Sequence, residues 1–111
     1  MRVNFDDLDQ VDQDAGGGNV YHYQGVPFTG IAEIYYPNQQ LEAEFEIVDG
    51  SENGFCNEYH ENGQLEYENF IRFNRYYGDS KLYDDQGNLL LHLSWDEETQ
   101  DKTVIVDNRN Q

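Results

Sequence analysis

One spacing dominates the sequence: Gly30, Gly54 and Gly78 lie 24 residues apart, as do Tyr35, Tyr59 and Tyr83, and as do Leu41, Leu65 and Leu89. Three residue types sharing one period mark a repeat architecture, and few other features constrain a fold as strongly. Between each Tyr and Leu stands a turn sequence: Pro37-Asn38-Gln39, Glu61-Asn62-Gly63 and Asp85-Gln86-Gly87. Each copy (30–53, 54–77 and 78–101) therefore reads as strand, turn, strand. A unit this small cannot bury an apolar face alone, so neighbouring copies must stack.

Side-chain phase selects the loop length. A two-residue Asn62-Gly63 turn would pair His60 with Leu65 and throw the recurring Tyr and Leu onto opposite faces. A three-residue loop, a type I turn followed by a left-handed residue, pairs Tyr59 with Leu65, Phe55 with Asn69 and Tyr67 with Asn57. Pro37 suits the first central position of such a turn, and Gly63 and Gly87 suit its left-handed position. Gln39 departs from glycine there, at a cost of up to ~1 kcal/mol.

Carried along the chain, this register puts Ile31, Tyr35, Leu41, Ala43, Phe45, Ile47, Phe55, Tyr59, Leu65, Tyr67, Ile71, Tyr83, Leu89, Leu91, Leu93 and Trp95 on a core face. The other face carries Glu42, Glu44, Glu46, Glu66 and Glu68, joined by Ala32, Ile34, Tyr36, Glu58 and His60. The expected fold is mainly β, an elongated antiparallel meander of three hairpin repeats forming an open, twisted sheet. Six repeat strands would make it roughly 25 to 30 Å wide. Val20–Tyr23 is expected to add a strand in front, with Gln24-Gly25 as its turn, and Thr103–Val106 one behind. Residues 1–19, Asp-rich and ending in Gly16-Gly17-Gly18, read as a mobile lead-in from which Val3, Phe5, Leu8 and Val11 can dock. The repeat domain is then 20–111, with 96–102 a loop and no amphipathic helix.

A chain of 111 residues is one domain on size, with a modest core. Six Lys and Arg face 23 Asp and Glu, a formal charge of -17. Such a field repels nucleic acid, anionic lipid and phosphorylated substrates, and it speeds encounter with a basic partner. It also keeps a flat sheet from adhering to itself. Nine Tyr, good strand formers, argue for a folded chain despite the charge. Cys56 is the single cysteine, which rules out an internal disulfide. No stretch resembles a signal peptide or a membrane span, so a cytoplasmic location is expected.

No chemistry-bearing motif emerges. Glu42, Glu44 and Glu46 alternate along a strand with no nucleophile or base implied, so no catalytic residue is assigned. His22, His60 and His92 are too far apart to form a metal site. Asp12-Gln13-Asp14-Ala15-Gly16 lacks the third acid and closing Glu of a calcium loop, its twelfth position being Tyr23. No metal or cofactor is expected. Cys56 reads as a small filler, and Tyr35, Tyr59 and Tyr83 as a core ladder.

The runs Gly25-Val26-Pro27-Phe28-Thr29-Gly30, Tyr35-Tyr36-Pro37-Asn38-Gln39-Gln40-Leu41-Glu42 and Tyr59-His60-Glu61-Asn62-Gly63-Gln64-Leu65-Glu66 resemble the bacterial MORN-variant repeat family, whose members are called YwqK-type antitoxins. The similarity spans about residues 20 to 95. It implies hairpin repeats in an extended sheet, and many members look like antitoxins or immunity proteins that neutralise a toxin. The third copy departs from the pattern, with Leu90-Leu91-His92 replacing the Glu-rich strand, as a terminal capping repeat would.

Together the charge and the resemblance point to a non-enzymatic immunity protein or antitoxin, a monomer or weak dimer that binds no nucleic acid and no membrane. Its partner would be a cognate protein toxin with a basic surface, a nuclease or deaminase. The expected partner-binding residues are Ile34, Tyr36, Glu42, Glu44, Glu46, Glu58, Glu66 and Glu68. The alternative is a non-enzymatic repeat scaffold for protein assembly.

Overall fold

The three turns form as their residues dictate. In the computed structural model, which describes residues 1–110, Gln39, Gly63 and Gly87 sit at φ 71°, 92° and 87°. Their N–H groups donate to the carbonyls of Tyr36, His60 and Asp84. The three-residue loop sets the pairings Tyr35 with Leu41, Tyr59 with Leu65 and Tyr83 with Leu89. Gln39→Gly should therefore stabilise the protein by about 0.5–1 kcal/mol, seen as a rise of several degrees in melting temperature, because glycine meets no Cβ penalty at positive φ.

The strands are β1 (Arg2–Asn4), β2 (Asp9–Gln13), β3 (Asn19–Tyr23), β4 (Val26–Pro27), β5 (Gly30–Tyr35), β6 (Leu41–Val48), β7 (Ser51–Tyr59), β8 (Leu65–Arg72), β9 (Arg75–Tyr76), β10 (Gly78–Tyr83), β11 (Leu89–Trp95) and β12 (Lys102–Asp107), with one 3₁₀ turn at Phe5–Asp7. The main sheet runs β1-β5-β6-β7-β8-β10-β11-β12 and does not close. Each repeat is one hairpin of it, and all its pairings are antiparallel except β1 on β5. The molecule measures 49 × 38 × 17 Å, a broad, thin sheet. No helix is long and apolar enough to cross a membrane.

One step past each turn the register slips. Ile34 pairs with Ala43, Glu58 with Tyr67 and Leu82 with Leu91, so Glu42, Glu66 and Leu90 are extra residues on the second strand of each hairpin. This recurring β-bulge overturns the simple phase. Ala32 and Ile34 now share a face with Phe45 and Ala43, while Ile31 lies opposite Glu46, and Phe55 opposite Phe70 instead of Asn69. The physical reason lies in the charges. Unbulged, the hairpins would set Glu33 opposite Ala43, Lys81 opposite Leu91 and Asp79 opposite Leu93, on the core face. The slip replaces them with Ile34, Leu82 and Ser80. A buried unpaired charge costs several kcal/mol, more than one irregular ladder step.

Residues 1–19 are not a mobile lead-in. The β1 strand edges the sheet with Val3 buried opposite Ala32, and β2 pairs with β3. Nor does β3 precede β5 in the sheet, because it pairs with β2 and β4 and touches β7 through Val20 and Ser51. These N-terminal elements roof the start of the sheet. Val3, Phe28, Ala32, Phe45 and Ile47 form the buried cluster, with Phe5, Leu8, Tyr21, Tyr23, Ile34 and Cys56 packed against it. The Phe5 ring centroid lies 5.3 Å from Tyr21 and 5.6 Å from Phe45. Full burial of one such side chain is worth roughly 1.5–3 kcal/mol.

A second buried patch holds the far end, where Leu91 and Leu93 pack and Trp95 donates to Ser80 Oγ at 2.8 Å. Ser80 in turn donates to Asn69 Oδ1 at 2.6 Å. Here β12 follows β11, as the sequence suggested for Thr103–Val106, and 96–101 forms the connecting loop.

Candidate functional site

The bulge also sorts the acidic residues, because directly paired residues of antiparallel strands share a face. On the face away from the roof, Glu44 lies between Glu33 and Asn57, and Glu68 between Asn57 and Lys81. Glu44 is buried at 8% exposure, and Arg2 Nη1 sits 3.6 Å from its Oε2 and 3.2 Å from Glu33 Oε2. Glu46 Oε1 accepts the Phe55 N–H at 3.2 Å. That bond explains Gly54, at φ 120°, since a Cβ there would strike the Glu46 carboxylate. These three glutamates are thus committed to internal partners or set opposite a cation.

Tyr36 gathers the others. Its hydroxyl donates to the Tyr59 carbonyl of the next repeat at 2.7 Å. Desolvation raises the Tyr36 phenol above its usual range, and the nearby carboxylates of Glu42, Glu66, Glu61 and Glu58 raise it further. Glu58 is exposed and shares the face of Ala43 and Tyr67. The expected set of eight therefore divides. Tyr36, Glu42, Glu58 and Glu66 stand on the roofed side beyond the roof, with Ile34 at its margin, and Glu44, Glu46 and Glu68 stand on the opposite side. Ile34, expected to bind a partner, packs against the core cluster instead, because the bulge turns it inward. Glu58 is a correction to the expected face for the same reason.

His60 repeats the part of Tyr36 one copy later. Its Nε2 lies 2.9 Å from the Tyr83 carbonyl and its Nδ1 2.9 Å from Glu66 Oε2. Glu61 was not among the expected residues, though its place beside Asn62 at the turn made it legible. Among the described residues, Glu42, Glu58 and Glu61 have no Lys or Arg within 4 Å. Four carboxylates around one half-buried tyrosine, with only an imidazole for relief, form a cation-seeking surface.

The recurring tyrosines are not a core ladder. Tyr35 is 44% exposed, and the three Tyr–Leu pairs lie on the unroofed side of the bulge. Cys56 faces the buried cluster opposite Phe45. Burial, then Glu52 and Glu58, push its thiol up to about 12. At pH 8 the thiolate should then be roughly a thousandfold scarcer than for an ordinary cysteine, so native protein should resist a thiol reagent that labels the unfolded chain at once. Stability should fall as pH rises from about 9 towards 12, where the unfolded thiol ionises first.

No group of three or more His, Cys, Asp or Glu among the described residues is placed to hold a metal ion. No family model, curated protein or solved structure matches this chain.

Proposed function

We propose that this chain is an immunity protein or antitoxin acting in the cytoplasm, which blocks a basic protein toxin by one-to-one binding through the Tyr36 cluster. The observation that carries the reading is the set Glu42, Glu58, Glu61 and Glu66, all acting electrostatically on Tyr36, with no Lys or Arg among the described residues within 4 Å of Glu42, Glu58 or Glu61. Like charges so placed cost stability, a cost that a basic partner recovers on binding. The charge of -17 favours fast capture of a nuclease or deaminase whose own groove must attract nucleic acid. The resemblance of the turn sequences to MORN-variant antitoxins supports the same reading, and the hairpin repeats are of the kind it implies.

A scaffold reading is favoured by a different observation, the open β12 edge with Val104 and Ile105 more than half exposed. Co-expression with the product of the adjacent reading frame separates the two. Rescued growth and a one-to-one complex that dissociates as salt rises are expected of an antitoxin. Self-association with no toxic neighbour would transfer the reading to the scaffold.

A further inference from the structure

A cleft of about 280 Å³ opens where the loop joining β2 to β3 meets the sheet, lined by Asp14, Ala15, Val48, Glu52 and Phe73 among others. Asp14 and Glu52 also line a smaller, more polar cavity of about 140 Å³ beside it, so the two carboxylates stand at the boundary between the cavities. Asp14 Oδ1 accepts the N–H groups of Gly16 and Gly18, whereas its Oδ2 accepts no hydrogen bond among the described residues. Burial raises Glu52, and the nearby Cys56 thiol offsets part of that rise.

The basic side chains that flank the cleft-lining Phe73 are engaged elsewhere. Arg72 and Arg75 flank the Phe73-Asn74 turn, but Arg72 makes a bidentate pair with Glu97 at 2.7 and 3.1 Å. Arg75 Nη1 donates to the carbonyls of Glu97 and Glu98. Among the lining residues Val48 is 42% and Phe73 71% exposed, whereas Asp14 and Glu52 are half-buried, so exposed apolar surface adjoins two less accessible carboxylates. Lysine matches that sequence of surfaces, with an aliphatic stem of four carbons and a compact ammonium at its end.

We propose that this cleft receives a lysine side chain from a protein partner, with the stem along Val48 and Phe73 and the ammonium between Glu52 and Asp14. The cleft shares no lining residue with the Tyr36 cluster, and the proposal does not rest on the antitoxin reading. The test is a titration of the full chain with Nα-acetyl-lysinamide, followed through backbone amide resonances, with Nα-acetyl-norleucinamide as the uncharged isostere. Saturable shifts confined to Gly16, Gly18, Ser51, Glu52, Asn53 and Phe73 are expected, with norleucine about tenfold weaker. Glu52→Gln should weaken lysine binding about tenfold, Phe73→Ser severalfold, and Glu42→Gln not at all. Equal binding of the two amides, or shifts spread evenly over the acidic surface, overturns the proposal. So does unchanged binding in both the Glu52 and Phe73 variants. Should Glu52→Gln not fold, the isostere comparison and Phe73→Ser decide alone.

Discussion

Ala32→Lys is expected to destabilise the protein by about 3–5 kcal/mol, whereas Ile31→Lys, one residue earlier, should cost about 1 kcal/mol or less. Ala32 is fully buried between Val3 and Phe45, where an ammonium would have neither room nor a counter-ion. Ile31 lies on the opposite face against Glu46, where a lysine gains a cross-strand carboxylate. A domain of this size has roughly 5–15 kcal/mol in total, so the first change consumes a large share of it. Urea denaturation of both variants is the measurement. If the unbulged register were correct the order would reverse, with Ile31→Lys the damaging change. Loss of the Phe5 and Tyr21 packing in the same transition would show that the roof and the repeats unfold together.

The period and the turn chemistry fixed most of this fold in advance. The Gly, Tyr and Leu spacing gave three hairpins, and Gly63 and Gly87 gave the loop length, because a left-handed residue at one place admits few alternatives. The bulge did not follow from that reasoning, since Tyr and Leu remain paired with or without it. Its signal was present in Glu33, Asp79 and Lys81, charges that an unbulged hairpin would bury. The roof was hidden for another reason. Val3, Phe5 and Leu8 read as dockable, but long-range packing on Phe45 and Ile47 carries no local periodicity, and an Asp-rich composition pointed the other way.

The site was legible in composition and not in arrangement. Counting carboxylates found Glu42, Glu58 and Glu66, yet placed them beside Glu44, Glu46 and Glu68 on one surface, because a single slip of register exchanges faces. The ion pair that occupies Glu44 comes from Arg2, about forty residues of sequence away and in a segment read as lead-in. Tyr36 is among the residues the sequence offers for partner binding, and its hydroxyl also ties one repeat to the next. A binding surface built on it is therefore held by the same bond that stacks the repeats.

That division decides which charge reversals should affect binding and which should affect folding. The double variant Glu42→Lys, Glu58→Lys removes two carboxylates that pair with no Lys or Arg among the described residues, so stability should change by no more than about 1 kcal/mol. Relief of repulsion around Tyr36 works against even that loss. Affinity for the product of the adjacent reading frame should fall by about a hundredfold or more, with a slower association rate and a shallower salt dependence. Glu44→Lys should do the reverse of this. Setting a second cation against Arg2 at a buried position costs folding stability first, and binding only as the fold is lost. Calorimetric titration over a salt series, beside a melt of each variant, separates the two effects. A complex unaffected by the double variant but broken by Glu68→Lys in a fully folded chain would place the interface on the unroofed face, and the Tyr36 cluster would then lose its role.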